Sequence, residues 1–382
     1  MTTSKSDVRK RSNRRRFLKG AVVGGAGVAA TVAMPNVSRA QTVVLKMQGS
    51  WGAGDIINDY AKQYVEIVND MGGGRLKIDY LNAGAVVKPF EVQDAVHKGV
   101  LDGGHLVPAY WYGKNRAASL FGTGPCWGWN AHQFLAWCND GPGRKLYEDL
   151  TQNVLKLNIV GWFLMPMPTQ PLGWFKKEPK SPADLRNLKY RTVGLATNVM
   201  QAMGMKVTQL PGGEIIPAME KGVIEAFEYN NPTSDRRFGA ADVAKIYMLS
   251  SYHQASECLE IEFNKTKFES LAKEQQAILK HAVQAASSAN LSTAYAHYPQ
   301  DLQGLIHKDK VKVHRTPKSI LEAQLAAWDK VIAQYSKEDY FKKVIESQKA
   351  WAKDVAYYEL MNAHDTKLAY DHYYGKSQPL GY

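Results

Sequence analysis

The run Lys189-Tyr190-Arg191-Thr192-Val193 is the centre of this sequence. It is rich in β-branched and aromatic residues and is flanked by turn-forming residues, which predicts a short strand that ends at a cleft. Arg191 would present there a planar fork of donors that suits a carboxylate. A second strand-like run, residues 223–229, contains Glu228, whose burial would be costly without a positive partner. The residues alone leave two interpretations open: a ligand site that Arg191 and Glu228 share, or an ordinary salt bridge.

Strand and helix patterns alternate before this centre. Apolar periodicity and glycine stops predict a strand at 42–47, a helix at 55–71, a strand at 76–80 and a helix at 89–98. This order predicts right-handed crossover units in a mainly parallel sheet. The glycines at 72–74 precede a strand rather than a helix, so the dinucleotide-binding fingerprint is missing.

The first forty residues are predicted to be a targeting segment. Arg14-Arg15-Arg16-Phe17-Leu18-Lys19 fits a twin-arginine signal, and a glycine-rich apolar stretch shorter than the roughly 20 residues of a membrane span follows it. This segment contains nine lysines and arginines against one aspartate, so it carries +8 of the formal +12 charge. The remaining chain is only weakly basic, which argues against nucleic-acid binding. We therefore expect an exported, periplasmic protein that begins at Gln41.

Two further stretches contain candidate ligand contacts. Tyrosines and tryptophans concentrate between residues 110 and 130, and such side chains suit a pocket for a small polar ligand, although most of them pack in cores. We single out Tyr112 and Asn115 there as substrate contacts. Gln170 stands in a proline-rich segment that would cross between two domains, and its amide oxygen is either a neutral metal ligand or a loop cap.

The cysteines and histidines give weaker signals. Cys126, Cys138 and Cys258 are an odd set, and three buried thiols fit it better than a bridge between Cys126 and Cys138. His253 lacks a second His or Cys at ligand spacing, so a surface or packed histidine is expected, while Gln254 beside it lines the cleft.

The order of four motifs resembles a known family. They are Gln170-Pro-Leu-Gly-Trp174-Phe175, Leu188-Lys-Tyr-Arg191-Thr-Val-Gly194, Pro211-Gly-Gly-Glu214 and Lys221-Gly222-Val-Ile-Glu-Ala226-Phe-Glu228. Together they resemble the solute receptors of TRAP transporters, in particular the branch that binds 2-oxo and 2-hydroxy monocarboxylates with a cation. The likeness covers the chain after residue 40.

The resemblance implies roles for individual residues. Arg191 would grip the substrate carboxylate, with Gln170 as a further contact, and Gln170, Glu228, Tyr229 and Gln254 would hold Na⁺ or Ca²⁺. This chain departs from the branch at Tyr229, where Trp is frequent, and at Asn230-Asn231. These departures put the substrate and the persistence of the metal site in doubt.

The resemblance also implies the fold and the partners. It implies an α/β, periplasmic binding protein-like fold with two lobes, a ligand cleft between them and long C-terminal helices. Lobe I would comprise residues 41–160 and 230–267, lobe II residues 161–229 and 268–317, and a helical region residues 318–382 that joins two copies in a homodimer. The receptor would deliver a small organic acid, such as pyruvate or lactate, to the membrane subunits of a TRAP transporter.

The charge of the predicted ligand site and the absence of hydrolase motifs distinguish this interpretation from its alternatives. Arg191, Glu228 and a ligand carboxylate sum to −1, so Na⁺ would neutralise the site and Ca²⁺ would leave +1. Neither Gly-x-Ser-x-Gly nor His-Glu-x-x-His occurs, so the sequence lacks a local frame for nucleophilic or zinc hydrolysis. We expect a protein that is not an enzyme. The alternatives are a periplasmic enzyme for a small acid and a metal-free receptor for another acid.

Overall fold

A computed structural model describes residues 42–378 and 380 of the 382-residue chain. The predicted twin-arginine segment lies outside these residues. None of the helices in the described part is long and apolar enough to cross a membrane.

Strands and helices alternate through the first half of the chain, and long helices follow in the second half. The strands are β1 Val43–Gly49, β2 Leu76–Leu81, β3 Gly103–Leu106, β4 Ile159–Met167, β5 Gly173–Phe175, β6 Lys189–Arg191, β7 Lys206–Thr208, β8 Ala226–Phe227, β9 Ile246–Leu249, β10 Glu257–Asn264 and β11 Lys312–Arg315. The helices are α1 Ile56–Met71, α2 Val92–His97, α3 Arg116–Gly122, α4 Ala131–Asn139, α5 Gly143–Glu148, α6 Ala196–Ala202, α7 Ile215–Glu220, α8 Pro232–Arg237, α9 Ala240–Val243, α10 Lys265–Glu269, α11 Lys273–His307, α12 Lys318–Tyr335, α13 Asp339–Asn362 and α14 Thr366–Tyr374.

Local chemistry explains where these elements begin. Asp55 caps α1 by accepting a hydrogen bond from the backbone N–H of Ile57 at 2.9 Å, which places the start of the helix within one residue of the prediction. Asn130 caps α4 by accepting a hydrogen bond from the backbone N–H of Gln133, and Gln133 Oε1 in turn accepts one from the backbone N–H of Asn130. The predicted strand at 223–229 is shorter in the structure, where only Ala226–Phe227 pairs.

The strands form two sheets of mixed direction. The order of the first is β2-β1-β3-β10-β4, and the order of the second is β11-β9-β5-β8-β6-β7. β1 pairs in parallel with β2 and β3, as the crossover pattern predicted, but β10 runs antiparallel to β3 and β4, and β5 runs antiparallel to β8 and β9. The remaining pairings, of β9 with β11 and of β6 with β7 and β8, are parallel, so the crossover strands are parallel as expected and each sheet contains one return strand, β10 or β5, that runs antiparallel to both of its neighbours.

Segments that cross from one sheet to the other carry the candidate residues. Gln170 lies between β4 of the first sheet and β5 of the second, and Gln254 lies between β9 of the second and β10 of the first. Within the predicted return segment 230–267, β9 thus belongs to the second sheet and β10 to the first. The proposed lobe boundaries remain a prediction.

Helices cover both sheets and complete the apolar core. The long helix α11 packs against α1 and β4, and the Tyr64 hydroxyl donates a hydrogen bond to the Leu279 carbonyl at 3.0 Å across this contact. Farther along the chain, α12 packs on α6, and α13 packs on α3 and α4. The C-terminal helices therefore bury an apolar stripe on the body of the molecule, as their periodicity indicated.

Two glycines of the sequence motifs are required by the backbone. Gly173 has φ +126°, and a Cβ there would lie 2.1 Å from the Phe227 carbonyl oxygen of the neighbouring strand. Gly194 has φ +63°, and a Cβ there would lie 2.5 Å from Ser119 Oγ. Any other residue at either position would need a strained backbone, and its Cβ would collide with the atom named. The backbone at the start of β5 and after β6 therefore requires glycine.

All three cysteines are free thiols. Cys138 and Cys258 are buried, whereas Cys126 is half-buried. A bridge between Cys126 and Cys138 is therefore not formed, and the expectation of free thiols is confirmed, although only two of them are buried.

Candidate functional site

Arg191 lies at the end of β6 with only 1% of its surface exposed. Its Nε donates to the Leu210 carbonyl at 2.8 Å, and its Nη1 donates at 2.9 Å both to the Glu228 carbonyl and to Glu228 Oε1. Its Nη2 makes no hydrogen bond to the described residues. Hydrogen bonds through Nε and Nη1 thus hold the guanidinium in place, and Nη2 is the donor that they leave unused.

Glu228 follows β8 and is fully buried. Desolvation raises its pKa to about 7, although Arg191 and the polar side chains of Thr192 and Gln254 act in the opposite direction. The ion pair between Arg191 and Glu228 measures 2.9 Å. The structure therefore brings together the two charges that the sequence singled out, and it contains the salt bridge that was the alternative interpretation.

Three buried side-chain oxygens around this pair lack a hydrogen-bond partner in the described part of the chain: Gln170 Oε1, Glu228 Oε2 and Gln254 Oε1. Hydrogen bonds connect Gln170 to Gln254, and Gln254 to Thr192, which follows Arg191 in the chain. The backbone N–H of Gln170 donates to the Gln254 carbonyl at 3.1 Å, and Gln254 Nε2 donates to Thr192 Oγ1 at 3.3 Å. Buried acceptors without donors are costly, so a cation would satisfy them.

Glu257, at the start of β10, is a member of this cluster that sequence reasoning missed. Its Oε2 accepts hydrogen bonds from Gln170 Nε2 at 2.7 Å and from Asn230 Nδ2 at 2.8 Å. Desolvation raises its pKa to about 8, and the nearby charge of Glu228 adds to the rise. β10 contains three buried glutamates, Glu257, Glu260 and Glu262, and such a concentration of acidic residues between apolar ones was the available signal.

The Tyr229 side chain points to a different partner. Its hydroxyl donates a short hydrogen bond to Asp55 Oδ2, and Ser234 Oγ donates to Asp55 Oδ1 at 2.6 Å. Its ring lies 5.8 Å from the Arg191 guanidinium carbon. The ring therefore borders the cluster, while the hydroxyl is engaged at the N-terminus of α1, so a cation would have to use the backbone carbonyl of Tyr229.

The structure does not bring Tyr112 and Asn115 into hydrogen-bond contact with this cluster. The Tyr112 hydroxyl donates to Asn198 Oδ1 at 2.7 Å, and the Asn115 side chain caps α3 by accepting from the Ala117 N–H at 2.9 Å. Both side chains thus have structural partners.

Tyr110, in the same aromatic run, lies closer to the cluster. The charges of Arg191, Glu257 and Glu228 all act on its hydroxyl, whose pKa is raised chiefly by burial. Its ring packs with that of Phe90 at 4.6 Å and that of Trp51 at 6.1 Å. This aromatic group forms an apolar wall beside the charged residues.

His253 is fully buried, and its Nδ1 contacts Ser251 Oγ at 2.6 Å. Desolvation and the charge of Arg191 lower its pKa to about 3, so the imidazole is neutral. Of the surface and packed positions that the sequence left open, the structure has the packed one.

The donor set limits which ion the cluster could hold. Among the described residues, no three His, Cys, Asp or Glu side chains are grouped so as to hold a metal by themselves. A site here would combine one or two carboxylates with amide and carbonyl oxygens, which fits the hard cations Na⁺ and Ca²⁺ rather than zinc.

Known proteins resemble this chain over most of its length. Residues 47–341 match the family described as "Bacterial extracellular solute-binding protein, family 7". A monocarboxylate 2-oxoacid-binding periplasmic protein of Nostoc sp. is 32% identical over 318 residues, which are 83% of this chain and 85% of that protein.

Solved structures of similar proteins contain a cation and a small acid. A TRAP transporter solute-binding protein from Bordetella bronchiseptica, with calcium and picolinate, is 30% identical with a TM-score of 0.80 and covers 87% of this chain and 97% of its own. One from Pseudoalteromonas atlantica, with sodium and pyruvate, is 26% identical with a TM-score of 0.78 over 87% and 99% of the two chains. One from Colwellia psychrerythraea, with calcium and pyruvate, is 28% identical with a TM-score of 0.78 over 86% and 99%. With the two-sheet fold and the Arg191 cluster, these matches show that the chain belongs to the bacterial extracellular solute-binding proteins of family 7.

Proposed function

We propose that this protein is a TRAP transporter receptor that captures a 2-oxo or 2-hydroxy monocarboxylate together with Na⁺ or Ca²⁺. The observation that supports it most is the buried Arg191–Glu228 pair beside three oxygens without donors. Arg191 offers its remaining donor edge to the ligand carboxylate. A cation bound by Gln170, Glu228, Gln254 and the Tyr229 carbonyl would offset the negative charge that the ligand brings.

The charge balance now includes Glu257. Arg191, Glu228 and the ligand carboxylate sum to −1, and an ionised Glu257 brings the sum to −2. Na⁺ neutralises the first state and Ca²⁺ the second, so the charge of the site is compatible with either cation. The wall of Trp51, Phe90 and Tyr110 would contact the apolar tail of the acid.

Calorimetric titration tests the cation. Pyruvate is titrated into the protein in choline buffer with chelator, and then with Na⁺ or Ca²⁺ restored. Without a cation, Glu228 and the ligand repel each other in a low-dielectric site, so we expect much weaker binding. Glu228→Gln removes that repulsion and a ligand of the metal together, so it should bind more weakly than wild type with the cation and respond little to it. Equal wild-type affinity in every buffer contradicts the metal assignment.

Arg191→Lys tests the clamp. Lysine keeps the charge but loses the planar fork, so pyruvate binding should weaken by about 1.5–3 kcal/mol. Unchanged affinity would mean that Arg191 forms only a structural salt bridge.

Tyr112→Phe and Asn115→Ala in the same titration decide whether these two residues contact the ligand, as the sequence predicted.

The membrane partners and the location follow from the same proposal. The receptor would work in the periplasm and hand its ligand to the membrane subunits of the transporter. Changing both Arg14 and Arg15 to lysine should leave precursor in the cytoplasm if export uses the twin-arginine route. Normal periplasmic accumulation of that double variant would exclude the route.

A homodimer through the C-terminal helices is part of the proposal. The end of α13 and α14 expose a run of large apolar and aromatic side chains: Tyr357, Tyr358, Leu360, Met361, Leu368, Tyr373 and Tyr374. Exposed apolar surface of this kind favours association with another chain. Light scattering of the purified protein, with a truncation after residue 353 as control, measures whether these residues hold two copies together.

A further inference from the structure

The carboxylate of Glu257 stands behind Gln170, on the side away from the unpartnered amide oxygen. Its Oε2 accepts two amide N–H groups, from Gln170 Nε2 and Asn230 Nδ2, at 2.7 and 2.8 Å. The Asn230 amide is itself oriented, because Asn231 Nδ2 donates to its Oδ1 at 2.7 Å. Glu257 is 4% exposed and Gln170 2%, so water competes little for these bonds.

This contact determines which way the Gln170 amide faces. A glutamine side chain has a donor end and an acceptor end, and either can occupy the same space. Because Glu257 presents an oxygen that already accepts from Asn230, Gln170 must turn its Nε2 toward it. A flipped amide would bring two acceptors together. The Gln170 Oε1 then points away from Glu257 and remains without a partner.

We infer that Glu257 is a positioning residue for the cation site: it fixes the Gln170 amide so that Oε1, rather than Nε2, faces the cation. The inference rests on the proposed function, since Gln170 is a ligand there. Glu257 contacts Gln170 through Oε2, and two N–H groups fill that oxygen, so the role assigned here is to orient Gln170. Hydrogen-bonded partners of this kind orient metal ligands and tune their affinity.

Two conservative substitutions of Glu257 separate the effect of its reach toward Gln170 from the effect of its charge. Glu257→Asp keeps the charge but withdraws the carboxylate by one methylene, so the bond to Gln170 Nε2 is lost. Glu257→Gln loses the charge but keeps an acceptor oxygen at full reach. The measurement is the concentration of Ca²⁺, and separately of Na⁺, at which pyruvate affinity is half-maximal, together with pyruvate affinity at saturating cation.

We expect Glu257→Asp to raise the half-maximal cation concentration by about 10- to 100-fold, the usual cost of losing an outer-shell partner. Its pyruvate affinity at saturating cation should stay close to wild type, a split that a general loss of folding would not produce. Glu257→Gln should titrate close to wild type. Glu262→Asp and Glu262→Gln are the matched controls, because Glu262 is buried on the same strand and bonds to Gln93 instead.

Three results would overturn the inference. If Glu257→Gln weakens cation binding as much as Glu257→Asp, the charge matters and not the orientation. If Glu257→Asp titrates as wild type while wild type responds to the cations, the positioning role fails and the proposed function stands. If wild-type pyruvate binding ignores both cations, the proposed cation site fails and this inference fails with it.

Discussion

Glu228 in the cleft and the pair Glu260 and Glu262 on β10 are all fully buried, yet the protein compensates them by different means. Glu228 has an arginine at 2.9 Å. Among the described residues neither Glu260 nor Glu262 has an ion-pair partner; the Tyr147 hydroxyl donates to Glu260 at 2.7 Å, and Gln93 Nε2 donates to Glu262 at 3.4 Å.

The pKa values follow from these surroundings. Burial raises the pKa of Glu260 to about 8 and that of Glu262 well above its ordinary value, and the two groups repel each other when both are charged. Each of the two carboxyl groups therefore holds a proton near pH 7, and the pair is neutral. The cleft instead keeps a fixed positive charge beside unpartnered oxygens. Protonation thus removes the charge of Glu260 and Glu262, whereas the cluster around Arg191 is arranged to accept an anion and a cation.

The largest effect should come from removing the cleft arginine. Arg191→Met leaves Glu228 buried without its counter-charge, which costs about 3–5 kcal/mol for such pairs. The measurement is the free energy of unfolding by denaturant at pH 8.5, without ligand or cation. At pH 6 the loss should shrink, because Glu228 can then take up a proton.

The double variant Arg191→Met with Glu228→Gln is the control. Replacing both partners of a buried pair by uncharged groups is often close to neutral, so most of the stability should return. A single variant as stable as wild type at pH 8.5 would show that the arginine does not compensate Glu228, and the contrast with the proton-neutralised pair would disappear.

The second effect concerns the proton-neutralised pair. Because folding raises the pKa of Glu260 from 4.5 to about 8, the native state holds a proton that the unfolded state releases. Stability from this group is complete below pH 4.5 and is lost as pH rises to about 8, by at most about 1.4 kcal/mol per pH unit. Glu260→Gln should therefore flatten the decline in unfolding free energy between pH 6.5 and 8.

Two features of the chain shape this experiment. Burial lowers the pKa of His105 and His253 to about 3, so both destabilise the fold only as pH falls below 6.5, outside the chosen window. Glu228 and Glu257 have raised pKa values too and contribute a decline of the same sign. Saturating pyruvate and Ca²⁺ should suppress the cleft contribution, and because the raised pKa values of Asp235 and Glu262 contribute in both proteins, the difference between wild type and Glu260→Gln reports Glu260. An identical slope in wild type and Glu260→Gln contradicts the proton-neutralised pair.

Local sequence signals located the elements and the principal charges but not the supporting contacts. The helix that begins near Asp55 and the short strand that contains Arg191 are encoded within a few residues, and the structure has them where the sequence predicted. The bond between Gln170 and Glu257 joins positions 87 residues apart. Hydrophobic periodicity is a local pattern and does not predict a contact between residues so far apart in the chain. The antiparallel pairing of β10 with β3 and β4, which brings Glu257 to Gln170, was missed for the same reason.

The smallest effect should come from Tyr229, at the border of the cleft. Its hydroxyl donates to Asp55, which also accepts from Ser234 Oγ and the Ile57 N–H, so Asp55 keeps two donors when one is removed. Tyr229→Phe should therefore cost only about 0.5–1.5 kcal/mol of unfolding free energy. The ring stays in its place against Phe238, at 4.7 Å, so pyruvate affinity with cation should not change.

Ser234→Ala removes the other side-chain donor to Asp55 and is the matched control, with a loss of similar size. A fall in pyruvate affinity at unchanged stability would mean that the hydroxyl serves the ligand, and Tyr229 would then belong to the cleft through its side chain rather than through its carbonyl.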